Sequence, residues 1–155
     1  MGHEIRKLRQ SFAYALRGIR LCMGSERNFR IHLTAACYVT LFALLGGLPK
    51  VQCALLALCF GVMMGAELMN TAIEYLCDWK ADGYNPTVRD AKDIAAAAVF
   101  VCAVACIVVG ALFFLREPVL ARIFDCLHRH LWLAGLLVLS VPAALGFIFA
   151  FGRKR

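Results

Sequence analysis

Four apolar runs, each near the ~20 residues a helix needs to cross hydrocarbon, divide this sequence: Ile31 to Leu48, Val51 to about Cys77, Ile94 to Leu115, and Leu131 to Phe151. In lipid, backbone N–H and C=O groups have no water to bond, so runs of this length fold as helices that satisfy their own backbone. The connections are short: Pro49-Lys50, a polar segment from Asp78 to Asp93, and a mixed segment from Arg116 to His130, read as a loop. Composition agrees, at 62% hydrophobic and 17% charged, against roughly half and about a quarter in globular domains. The predicted fold is an all-α integral membrane protein with four transmembrane helices. Disorder, collagen and nucleic-acid modules are excluded.

Before the first span the pattern changes. Ile5, Leu8, Phe12, Leu16 and Ile19 recur at three- and four-residue steps, the spacing of one helical face, while Arg6, Arg9, Arg17 and Arg20 lie elsewhere on that helix. An apolar stripe opposed by arginines describes an amphipathic helix lying in the headgroup layer of an anionic leaflet. The first 30 residues lack a signal peptide's continuous apolar stretch, so nothing marks them for removal.

The net charge of +7 would suggest a nucleic-acid partner in a soluble protein. Here membrane asymmetry explains it. Of 17 basic residues, seven precede the first span, three lie from Lys80 to Lys92, and three close the chain at Arg153, Lys154 and Arg155. The opposite side holds only Lys50, Arg116, Arg122 and Arg129. The positive-inside rule then places both termini and the 78–93 segment in the cytoplasm. Of the eight cysteines, Cys37, Cys53, Cys59, Cys102 and Cys106 sit inside apolar runs, where cysteine behaves as a small hydrophobe rather than a disulfide framework.

The second span is apolar up to Ala66 and then carries Glu67, Asn70, Thr71, Glu74 and Asp78. At about 100° per residue these positions share a sector of roughly 100°. A carboxylate in hydrocarbon costs on the order of 3 kcal/mol even on permissive scales, so such residues face a partner, a metal or a wet cavity. Two further clusters lie at the same level: Glu26-Arg27-Asn28-Phe29-Arg30-Ile31-His32, and Ala91-Lys92-Asp93. Hard carboxylate oxygens converging from several helices suit Mg²⁺, which takes one or two protein carboxylates and completes its shell with water and phosphates. Lys92 could then meet a phosphate. His3, His128 and His130 lie in flanking segments, and the last two, at i and i+2, do not share a helical face. Tyr14 and Trp79 by themselves read as interfacial aromatic residues. A cation channel or transporter would also line a helix face with carboxylates, but at the midplane rather than at the end of its helix.

The run Glu67-Leu68-Met69-Asn70-Thr71-Ala72-Ile73-Glu74, followed by Asp78 and then Ala91-Lys92-Asp93-Ile94-Ala95-Ala96, resembles the prokaryotic diacylglycerol kinase family over about residues 5 to 115. That resemblance implies a small integral-membrane lipid kinase, a homotrimer of subunits with three spans and a surface helix. It also implies ATP as phosphoryl donor, Mg²⁺ as cofactor, a membrane lipid alcohol as acceptor, and a site on the cytoplasmic face of a bacterial cell membrane. No Gly-rich phosphate loop is expected, and the sequence has neither G-x-x-x-x-G-K-[ST] nor G-x-G-x-x-G.

By the same resemblance Glu67 is the general base, and Glu26 and Glu74 are the metal ligands. Asn70 orients the site, Lys92 contacts phosphate, and Asp78, Asp93 and Tyr14 lie on the nucleotide side. Residues 1–30 then form the interfacial helix and site mouth, 31–115 the three-span kinase core, and 116–155 a loop and an additional span. Asn28-Phe29-Arg30-Ile31-His32 is similar to the branch of the family that prefers undecaprenol, although Ala97 stands where that branch usually has glycine. The last span, with Pro142 inside it and no charged residue, lies outside the resemblance and is expected to be dispensable for catalysis.

Overall fold

The computed structural model describes residues 2–80, 83–150 and 152. Six helices follow in order: α1 (Gly2–Ser25), α2 (Arg27–Leu45), α3 (Lys50–Lys80), α4 (Pro86–Phe114), α5 (Glu117–Arg129) and α6 (Leu131–Phe149). Four of them, α2, α3, α4 and α6, are long and apolar enough to cross a membrane, as the hydropathy pattern predicts. Phe151, the predicted end of the last span, and the terminal Arg153, Lys154 and Arg155 lie outside the described residues.

The breaks between spans have local causes. α2 ends where Gly47 takes a positive φ of 62°, conformational territory that glycine enters without steric cost. Leu48 N–H then reaches Ala43 O at 3.0 Å and Gly47 N–H reaches Leu44 O at 3.2 Å, the paired bonds of a Schellman cap. α4 starts at Pro86, with Asn85 Oδ1 accepting from Thr87 N–H at 3.0 Å. That is an N-cap followed by proline at the first helical position.

The segment from Arg116 to His130, expected as a loop, is largely the helix α5. Its Val119 and Ile123 are buried against Ala43, Leu48 and Leu56, and Arg122 Nη1 donates to Gly46 O at 3.4 Å. α5 therefore caps the α2–α3 turn at one end of the bundle. Its thirteen residues are too few to span and are broken by Glu117, Arg122, Asp125 and Arg129, so the segment carries no span-length signal, and amphipathic packing on the turn makes the helix.

At the opposite end lies α1. Ile5, Leu8, Phe12, Leu16 and Ile19 are all exposed, and Cys22 is its buried residue. A long helix with its apolar stripe uncovered by protein fits the interfacial position read from the sequence. α6 runs along α2, with Tyr38 Oη and Ser140 Oγ 2.7 Å apart. All eight cysteines are free thiols.

The candidate active site

α3 is the longest helix, and its length locates the polar stripe. At 1.5 Å per residue, Glu67 lies about 26 Å along the axis from Lys50, Glu74 about 36 Å and Asp78 about 42 Å, against a hydrocarbon core about 30 Å thick. Glu67 thus stands just inside the apolar boundary. Glu74 and Asp78 stand beyond it.

Glu67 is 2% exposed. Its Oε1 lies 3.3 Å from His32 Nε2 on α2, at ion-pair distance but outside hydrogen-bond geometry. One turn on, Thr71 Oγ1 donates to Glu67 O at 2.9 Å and lies 3.2 Å from Cys22 Sγ of α1. Asn70 Nδ2 donates to Glu74 Oε1 at 2.8 Å, a contact of residues four apart on one helical face. Between α3 and α4, Lys92 Nζ donates to Asp78 Oδ1.

Cys22 feels the charge of three carboxylates. Burial pushes its thiol above the ordinary range, the Thr71 hydroxyl acts in the opposite direction, and Glu26, Glu67 and Glu74 each raise it further through their charge. Glu26 arrives from the N-cap of α2 and the other two from α3. Three predicted site residues are thereby within electrostatic reach of the end of the surface helix.

The buried side-chain polar atoms without a hydrogen-bond partner among the described residues are Ser25 Oγ, Glu67 Oε1 and Asn70 Oδ1. Glu67 and Asn70 lie one turn apart on α3, and Ser25 closes α1 three residues after Cys22. Buried polar groups are ordinarily satisfied, and these three have unused capacity to bond water or a polar ligand. No group of three metal-binding side chains is preassembled among the described residues. The Glu74 carboxylate held beside the unpartnered Asn70 oxygen is nevertheless the kind of hard-oxygen donor that fits Mg²⁺, because that ion usually keeps waters and substrate phosphates in its shell.

Asp93 and Tyr14 stand apart from this cluster. Asp93 pairs with Arg89 at 3.6 Å, both largely exposed, and Tyr14 is exposed on α1, about 12 Å along the helix from Cys22. His32, read from the sequence only as part of the Glu26-to-His32 cluster, and Cys22, to which the sequence reading gave no role, do join it. Their signal is absent from any spacing, because each meets α3 from a separate helix.

Below Glu67 an apolar groove of about 490 Å³ opens between α2, α3 and α4, a size within the usual range for small-molecule sites. It runs from His32 past Val39, Met63 and Ile107 to Phe114. Apart from His32, its walls are aliphatic, aromatic and cysteine side chains and one glycine.

The groove and the polar cluster adjoin at His32, which lines the groove and lies 3.3 Å from the buried Glu67 carboxylate. A family model described as prokaryotic diacylglycerol kinase matches residues 13–114, and the chain belongs to that family of lipid kinases. It is 40% identical over 115 residues to an undecaprenol kinase of Bacillus subtilis (strain 168), covering 74% of this chain and 94% of the relative. It is 39% identical over 101 residues to a diacylglycerol kinase of Synechocystis sp. (strain ATCC 27184 / PCC 6803 / Kazusa), covering 64% of this chain and 58% of that relative. No solved structure matches significantly. α5 and α6 fall outside the family match.

Proposed function

We propose that the protein transfers the γ-phosphoryl group of Mg-ATP to the hydroxyl of a membrane lipid alcohol, undecaprenol in preference to diacylglycerol. The observation that carries this reading is the burial of Glu67 at the meeting point of the apolar groove and the orphaned polar atoms. A lipid tail in the groove would present its hydroxyl at His32 and Glu67. A nucleotide approaching from the water side would meet Asn70, Glu74 and Lys92.

Glu67 takes the proton of the lipid hydroxyl as that oxygen forms its bond to the γ-phosphorus. The bond from that phosphorus to the β,γ-bridging oxygen breaks, and ADP leaves with the electron pair. Such transfer asks for positioning and charge neutralisation more than covalent chemistry. Glu26 and Glu74 would hold Mg²⁺, which supplies that neutralisation when bound. Asn70 holds the Glu74 carboxylate in place. Lys92, now paired with Asp78, turns its ammonium to a phosphate oxygen, with Asp78, Asp93 and Tyr14 on the nucleotide side. The site works at the cytoplasmic face of a bacterial cell membrane, in a homotrimer.

The preference for a polyprenol rests on the similarity to the Bacillus enzyme, over 94% of that relative's length. The test is a competition assay. Purified protein in bilayers with Mg-ATP and equal amounts of undecaprenol and diacylglycerol should yield mostly polyprenyl phosphate. A product dominated by phosphatidic acid would reverse the acceptor assignment.

A further inference from the structure

Arg30 is a buried charge, 5% exposed, and its guanidinium is spent on two backbone carbonyls from different helices. Nε donates to Ile148 O in the last turn of α6 at 3.0 Å, and Nη1 donates to Met23 O at the end of α1 at 2.9 Å. Both carbonyls lie at helix C-termini, where a cation is favoured by the unpaired carbonyls and the helix dipole. A planar fork can serve both at once.

Gly152, beyond α6, lies against the same group. A Cβ on Gly152 would stand 3.2 Å from Arg30 Nη2, 3.3 Å from Nη1 and 3.3 Å from Gly24 O. The guanidinium could yield, but the Gly24 carbonyl moves only with the backbone of α1. Arg30 also lies one turn into α2 from Glu26, whose carbonyl accepts its N–H at 3.4 Å. One side chain therefore joins the end of α6, the end of α1 and the first turn of α2. The elbow so joined, Met23 to Glu26, holds the orphaned Ser25 hydroxyl and the Glu26 carboxylate.

We propose that α6 acts through Arg30 as a positioning element of the metal and nucleotide mouth, fixing the α1–α2 elbow and with it Glu26. This rests on the kinase reading above. It gives the last span, which has no charge of its own and lies outside the family match, a part in the site. The span expected from sequence to be dispensable for catalysis sets the affinity of the mouth. Arg30 itself is a positioning residue, since its contacts are backbone carbonyls.

The test uses the full chain in bilayers, with Arg30→Lys, Arg30→Gln and Gly152→Val, and with Tyr38→Phe as a control that loosens α6 elsewhere. Two quantities are read: Mn²⁺ binding by electron paramagnetic resonance, and the Mg²⁺ dependence of lipid phosphorylation. Arg30→Gln should weaken Mn²⁺ binding and raise the half-saturating Mg²⁺ concentration by roughly tenfold, the lower range for residues that orient metal ligands. Turnover at saturating Mg²⁺ and the half-saturating lipid concentration should stay within about twofold, since groups supporting only metal binding act before the transition state.

Arg30→Lys should recover part of the loss, and Gly152→Val should weaken binding in the same direction. The pair Gly152→Val with Arg30→Gln should be no worse than Arg30→Gln alone, because both act on one contact. Tyr38→Phe should leave Mn²⁺ binding unchanged. If Arg30→Gln does not fold, Arg30→Lys and Gly152→Val carry the same comparison. Unchanged Mn²⁺ binding in those two variants, or a loss of turnover with metal affinity intact, overturns the proposal. Failure of the wild-type chain to phosphorylate any lipid alcohol strikes the kinase reading instead, and the Mn²⁺ titrations tell the two apart.

Discussion

Replacing Glu67 by Gln is expected to lower phosphoryl transfer by about two orders of magnitude or more, the usual contribution of a positioned base, with nucleotide binding largely retained. Glutamine keeps the shape and one acceptor oxygen of the buried side chain but has no basic carboxylate. The site loses its proton acceptor and little of its packing. Steady-state turnover and equilibrium nucleotide binding, measured on the same membranes, check this. Turnover near that of the unaltered chain would place the base elsewhere. Loss of nucleotide binding together with turnover would instead assign Glu67 to holding the donor.

Glu74→Gln and Glu26→Gln should each raise the Mg²⁺ concentration needed for half-maximal rate by about tenfold or more, since each removes a hard charged oxygen from a cation that depends on such ligands. Glu74→Gln has the larger expected effect. Its carboxylate is already held by Asn70 at 2.8 Å, so the group lost is preorganised. Raising Mg²⁺ should restore part of the activity in both. Metal titration curves unchanged in both variants would remove these residues from the ligand set.

The spans were legible because lipid punishes any other reading: an apolar run near 20 residues has one economical structure there. The stripe from Glu67 to Asp78 was legible for the same reason, since helical periodicity puts those side chains on one face whatever surrounds them. The place of α5 was not legible. Val119, Ile123 and Leu127 recur at four-residue steps, a helical face legible in the segment, but the α2–α3 turn on which that face packs is a tertiary fact the segment does not carry.

His32, Cys22 and Arg30 show the same limit in the site. His32 meets Glu67 across 35 positions, Cys22 meets Thr71 across 49 and Arg30 meets Ile148 across 118. No local spacing encodes such pairs. Asp93 illustrates the reverse case. Its place beside Lys92 is plain in the sequence, yet in the structure it turns to Arg89 on the exposed side of α4.

The central claim is that a carboxylate site at the cytoplasmic end of this bundle phosphorylates a lipid alcohol. It is tested most directly in sealed vesicles of known orientation that contain undecaprenol. ATP labelled on its γ-phosphoryl group is added outside, and labelled polyprenyl phosphate is measured. Inside-out vesicles, whose cytoplasmic face meets the ATP, should form labelled lipid, and the Glu67→Gln chain in the same vesicles should not. Right-side-out vesicles should form none until they are opened with detergent. Label entering lipid equally from both orientations while the vesicles stay sealed, or no labelled lipid from either orientation before or after opening, would contradict the account.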